Sequence, residues 1–146
     1  MKILVKKLND DVSLPKYQRE NDAGFDFHAS ETVEIPPGEC VAVPTGLKMA
    51  IPTGYRVSIV PRSGLSKDTY LRIPNSPGTI DSGYRGEVKV LVFNDGIVTT
   101  TINKGDRIAQ GILERTPRAE FKVVDELPDS ERGEGGFGHT GVSEDV

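Results

Sequence analysis

A chain of 146 residues with 36% hydrophobic content can bury one core unaided but not two independent ones. Its one cysteine, Cys40, excludes an intramolecular disulfide and a thiolate metal cluster, and is expected to pack as a small hydrophobe. With 18 basic against 22 acidic residues and a formal charge of -4, the chain is a poor surface for nucleic-acid polymers, though a few focused arginines and a divalent cation would still admit a small phosphate-bearing ligand.

The amino end, MKILVKKLNDD, opens with a strand over Ile3 to Val5 and turns charged too early for a signal sequence. No apolar run approaches the ~20 residues that span a bilayer, so no membrane partner and a cytoplasmic location are expected. DAGFDF, residues 22 to 27, offers Asp22 and Asp26 around an Ala-Gly bend, where a carboxylate can hold a water of a hydrated Mg²⁺. Strands are expected at Val33 to Ile35, Cys40 to Val43, Leu47 to Ile51 and Tyr55 to Val60, separated by turns such as PPGE and PTGY. After Pro61 the pattern predicts one short helix, capped by Ser63 and running through Ser66 and Lys67. There Arg62 and Ser63 would sit beside free backbone N–H groups that favour an oxyanion.

The next segment, GTIDSGYRGEVKV from 78 to 90, sets Asp81 in a glycine-rich turn with Arg85 close behind, ahead of a strand over Val88 to Phe93. Val88, Val90 and Val92 share one face of that strand, so at least that face is buried. Further strands are expected at Ile97 to Ile102, at Ile108 to Leu113 after the Lys104–Gly105 turn, and at Phe121 to Val124. Gln110 is polar amid Ile108, Ala109, Ile112 and Leu113, which suits either a buried structural hydrogen bond or a ligand contact. Many short strands at this spacing mean an all-β sandwich, jelly roll or barrel.

After Val124 core residues become scarce, and a free tail of this composition would be disordered. Yet RGEGGFGHTG, residues 132 to 141, embeds one aromatic among glycines. Arg132 supplies a guanidinium, Phe137 an aromatic face and Thr140 a hydroxyl, which suits a loop that folds over a base and a phosphate. His28 and His139 make no metal site without a cysteine cluster and no Ser-His-Asp pattern.

Five segments in order, AGFDF (23 to 27), PRSGL (61 to 65), GTIDSGYRGE (78 to 87), GDRIAQ (105 to 110) and RGEGGFGHTG (132 to 141), resemble the five motifs of the trimeric type of deoxyuridine triphosphatase. The resemblance covers nearly the whole chain. It implies an all-β, jelly-roll-like distorted barrel with one short helix: residues 1–124 form a nucleotide-binding core, and 125–146 a flexible arm closing over an active site. It also implies hydrolysis of dUTP to dUMP and pyrophosphate, which limits dUTP and supplies dUMP for thymidylate synthesis.

Laid on residue by residue, the resemblance makes Asp81 the base that polarises the water attacking the α-phosphorus. Arg62, Ser63, Gln110, Arg132 and Thr140 resemble the phosphate clamp, and Mg²⁺ would be chelated mainly by the triphosphate, with Asp26 reaching it through coordinated water. Asn75 and the hairpin backbone would read uracil, Tyr84 would pack under deoxyribose and exclude a 2'-hydroxyl, and Phe137 would lie over the base. Arg85 and Arg107 are expected in structural roles. The family arrangement is a homotrimer with each active site shared between subunits. The related dCTP deaminases carry a catalytic Glu three residues before an Asn; here Leu91 precedes Asn94, and Leu91 cannot shuttle a proton. A nucleotide-responsive regulatory protein is the other alternative, and an intact Asp81 disfavours a catalytically dead binder. Phe25 and Phe27 flank Asp26 where smaller aliphatic residues are common, and Pro74 and Pro77 stiffen the segment around Asn75.

Overall fold

A computed structural model of the chain describes residues 1–136. Its described strands are β1 (Leu4–Lys7), β2 (Gly24–His28), β3 (Val33–Ile35), β4 (Cys40–Ala50), β5 (Tyr55–Val60), β6 (Leu71–Arg72), β7 (Gly78–Asp81), β8 (Glu87–Asn94), β9 (Thr100–Ile102) and β10 (Arg107–Arg115), with one helix, α1 (Ser63–Asp68), between β5 and β6. One sheet has the order β1-β4-β8-β6, a second β2-β10-β5-β7, and β3 pairs with β9. All ladders between the strands are antiparallel. The all-β reading holds. The expected barrel does not close, because each four-stranded sheet keeps two edge strands.

Period-two patterning explains the strands. In β8, Val88, Val90 and Val92 are buried while Lys89 and Leu91 are exposed, the alternation of a strand with one face on a core. A single hydrophobic cluster joins Val43, Leu47 and Val90 of the first sheet with Phe27, Val57 and Ile108 of the second. Phe25 and Phe27, the departures noted in the sequence, extend that cluster outward edge to face: ring centroids are 5.4 Å apart, and Tyr17 follows Phe25 at 5.5 Å.

Several expectations are corrected. Cys40 is exposed, not packed, because it starts β4 on the face turned away from the core. The two strands expected at 40–43 and 47–51 are one strand running through Pro44, with an irregularity in its pairing to β8 between Pro44 and Lys48. Only Thr100–Ile102 of the expected 97–102 strand forms, and Ile97 is 93% exposed. Phe121 to Val124 has strand-like composition but finds no partner strand among the described residues, and Phe121 and Val123 are exposed. Arg62, not Ser63, is the N-cap of α1, and no side chain caps it. The 22–27 bend is largely strand: Asp26 lies within β2 and is buried.

Candidate active site

The hairpin between β7 and β8 carries the first group of candidate residues. Asp81 is the last residue of β7 and is exposed, and its side chain makes no hydrogen bond or ion pair with another described residue. The turn is closed by the Tyr84 N–H donating to the Asp81 carbonyl at 3.1 Å. Arg85 binds the Ser82 and Tyr84 carbonyls of the same turn, each at 2.7 Å, which is a structural role.

Beyond the turn, β7 and β8 diverge into different sheets. β7 is an edge strand paired only with β5. β8 pairs with β4 on one side, and β6 reaches it only at Phe93 and Asn94 on the other. Between the two strands lies a cleft of about 500 Å³ lined by Ile80, Tyr84, Glu87, Val88 and Lys89. Edge strands present unpaired backbone donors and acceptors in a row, and that is what a planar ligand with its own donor and acceptor edge requires. At the other end of β7, Asn75 is exposed, and its Nδ2 lies 3.1 Å from the position a Cβ on Gly78 would take. Asn75 is thereby held against the strand that leads to Asp81.

A second group gathers where β2, β10 and the start of α1 meet. Asp26 is 1% exposed. Its Oδ1 accepts from Arg62 Nε at 2.9 Å and its Oδ2 from Arg107 Nη1 at 3.4 Å. A carboxylate this buried keeps its charge only when paired, and two guanidiniums supply the pairing. Arg62 also reaches the Arg107 carbonyl at 3.4 Å. Gln110 is half-buried and sits in register between Asp26 of β2 and Val60 of β5. Ser63 is exposed at the first position of α1. A cleft of about 350 Å³ beside this cluster is lined by Arg62, Arg107, Thr100 and Thr101 among others.

His28, two residues after Asp26 at the end of β2, has a buried Nδ1 with no hydrogen-bond partner among the described residues. Burial pushes its pKa below the ordinary value, Asp26 opposes that shift, and Arg107 and Arg62 reinforce it. Among the described residues no group of three acidic, histidine or cysteine side chains could cage a metal ion. Because the Asp26 oxygens already serve two arginines, the residues fit only an ion carried in by a ligand and touched through water. An ionised carboxylate has about four acceptor positions, so that contact remains open to Asp26.

The structure thus brings Asp26, Arg62 and Gln110 together, and separately Asp81, Tyr84 and Asn75 along one hairpin. Arg132 is exposed and bonded to its own turn through the Gly135 carbonyl at 2.7 Å. Phe137 and Thr140 lie outside the described residues. Sequence reasoning missed the pairing of Asp26 with Arg62 and Arg107. Its signal was a charged residue inside the buried, aromatic-flanked strand GFDFH, which demands a partner.

Comparison with known proteins follows the same lines. A family model described as dUTPase matches residues 10–141. A deoxyuridine 5'-triphosphate nucleotidohydrolase of Nautilia profundicola is 49% identical over 141 residues, covering 97% of this chain and 99% of that protein. The protein of the same name in Helicobacter pylori strain P12 is 42% identical over 143 residues, with 98% and 99% covered. Among solved structures, the dUTPase of Staphylococcus bacteriophage 80alpha with dUPNHPP aligns at a TM-score of 0.90 and 32% identity, covering 97% and 99% of the two chains. A mutant dUTPase from phage phi11 of S. aureus, described with a structural Mg(II) ion, aligns at 0.81 and 28% identity over 87% of this chain and 99% of that one.

Proposed function

Since the chain belongs to the dUTPase family and hydrolyses dUTP to dUMP and pyrophosphate, we propose that Asp81 is its general base and that the cleft between β7 and β8 holds the deoxyuridine. The observation that carries this reading is the exposed Asp81 carboxylate at the end of β7, unpartnered among the described residues, beside a cleft bordered by two unpaired strand edges. An ionised carboxylate with free lone pairs orients and polarises a water for in-line attack on the α-phosphorus.

Uracil presents a carbonyl–imide–carbonyl edge, which backbone groups of β7 and β8 complement together with the Asn75 amide. Cytosine's amino group would meet a donor, and the 5-methyl of thymine lacks room. The Tyr84 ring lies under deoxyribose. Arg62, Ser63 and Gln110 meet the charge that develops on the departing pyrophosphate, and Arg132 and Thr140 are the arm's contribution, with Phe137 over the base. Mg²⁺ entering on the triphosphate would neutralise part of its charge. Asp26 would contact such an ion only through water, while its direct bonds go to Arg62 and Arg107.

Register supports a homotrimer with shared sites. Asp81 pairs with Arg56 of β5, whereas Gln110 pairs with Val60 of the same strand. Those β5 positions are four residues apart, about 13 Å at strand rise, so one chain holds its base and its clamp well apart. A neighbouring copy that brings its clamp to this hairpin removes the gap. Leu91 is exposed on β8 where the deaminases carry their catalytic Glu, and the cleft's carboxylate, Glu87, already accepts from the Gly46 N–H, which disfavours the deaminase alternative.

Pyrophosphate release from dUTP, dCTP, dTTP and UTP tests the reading. kcat/KM for dUTP should exceed each of the others by at least about 100-fold, because mismatched buried hydrogen bonds and steric exclusion both act against the wrong nucleotide. Comparable turnover of dCTP would reject the backbone-edge argument, and comparable turnover of UTP the role of Tyr84.

A further inference from the structure

Tyr84 does not stand free in the cleft. Its ring is folded back over Gly86, where a Cβ would lie 2.5 Å from Tyr84 Cζ, a distance real Cβ atoms do not adopt. Its hydroxyl donates to the Glu87 carbonyl at 2.9 Å. Glu87 is in turn tied down at its other end: its carboxylate Oε1 accepts from the Gly46 N–H at 2.9 Å, and Oε2 lies 3.8 Å from Lys89 Nζ.

The anchor at Gly46 is a rigid one. Gly46 has φ +67° and sits within the irregularity of the β4–β8 ladder, where pairing jumps from Pro44–Lys89 to Lys48–Glu87. Its carbonyl accepts from Leu8 N at 2.8 Å, and Val12 packs so closely that a Cβ on Gly46 would meet Val12 Cγ2 at 2.5 Å. The Gly46 N–H, unable to reach a ladder carbonyl at this irregularity, is satisfied by Glu87 instead. A continuous set of contacts therefore runs from the β4 irregularity through the Glu87 side chain to its backbone and on to the Tyr84 hydroxyl.

We propose that Glu87 is a positioning residue for sugar discrimination: it fixes the start of β8 against Gly46, and so holds the Tyr84 ring at the depth at which a 2'-deoxyribose fits and a ribose does not. This rests on the reading of Tyr84 as the sugar platform and adds what sets its position. Gly86 is the complementary requirement, because any side chain there displaces the ring.

The test is the ratio of kcat/KM for dUTP to that for UTP, measured with melting temperature for each variant. Glu87→Ala should lower the ratio about tenfold, chiefly through KM, with kcat on dUTP held within about threefold. Glu87→Gln should restore it, since an amide oxygen still accepts from Gly46. Gly86→Ala should lower the ratio with Glu87 intact, and Tyr84→Phe, which deletes only the hydroxyl anchor, should lower it by a few-fold. If Glu87→Ala does not fold, Glu87→Thr, which removes the carboxylate but keeps strand propensity, carries the test in its place with the same expected fall in the ratio. A lower melting temperature with an unchanged ratio in Glu87→Ala would make Glu87 a purely structural residue and overturn the proposal. Tyr84→Ala separates the two levels: if it leaves the ratio unchanged, the sugar-platform reading itself falls, whereas if it collapses the ratio and the Glu87 and Gly86 variants do not, only the positioning role falls.

Discussion

At the hairpin, Asp81 ends β7 in solvent with no side-chain partner among the described residues, while at the other end of the candidate site Asp26 lies inside β2, 1% exposed and held by two guanidiniums. The same functional group has been given opposite environments, and the physics assigns opposite jobs. A buried carboxylate is stable only while its charge is spent on fixed partners, so Asp26 is committed to orienting Arg62. An exposed, unpaired carboxylate has its lone pairs free for water, which is what a general base needs.

Exchange of each aspartate for asparagine is the sharpest way to break that comparison. Asp81→Asn should lower kcat by about 100-fold or more while leaving melting temperature and nucleotide binding near wild type, the scale expected when a positioned base is lost. Near-normal kcat would move the base elsewhere. The two ends can also be tested as parts of different subunits by co-refolding full-length Asp81→Asn with a truncation ending at Glu131. Mixed trimers would combine an intact arm with an intact base, and activity should rise well above the sum of the parents. Verified mixed trimers without recovery would mean that the arm serves its own hairpin. Asp26→Asn should show the inverse signature of Asp81→Asn: stability falls by about 2 kcal/mol, less than for a fully buried pair because Arg107 is partly exposed, and KM rises as Arg62 loses its tether. A large fall in kcat at unchanged stability and KM would instead place Asp26 at the reacting atoms.

What the sequence made legible in these two regions differs for a physical reason. The hairpin is local: glycines, Asp81 and the Val88, Val90, Val92 alternation lie within a few residues of one another, so turn and strand chemistry identify it directly. The arginine end is assembled by pairing β2 with β10 and β10 with β5, and no local pattern says that Asp26, Arg62 and Arg107 meet. Phe121 to Val124 failed in the same way, because strand propensity specifies a strand only where a partner edge exists. Glu87 was invisible for a further reason: its role depends on an irregularity in β4 that composition does not reveal.

The smallest effect tests the arginine end through His28, whose buried Nδ1 lacks a partner among the described residues. Burial lowers its pKa from 6.5, Asp26 acts in the opposite direction, and Arg107 and Arg62 add to the lowering. The unfolded chain therefore takes up a proton that the folded chain resists. The stabilisation is fully present above the unfolded pKa, and is lost as pH falls from about 6.5 through the folded value. Glu114, whose pKa is lowered by its hydrogen bonds from Ser58 and Arg56, loses its contribution only below about 4.5, outside this window. Between pH 7.5 and 5.5 the melting temperature should drop by about one or two degrees more in the wild type than in His28→Gln, a small difference because the imidazole is only partly shielded from solvent. Identical pH profiles for the two would show that burial, with Arg107 and Arg62 set against Asp26, leaves the His28 proton equilibrium the same in the folded and unfolded chain.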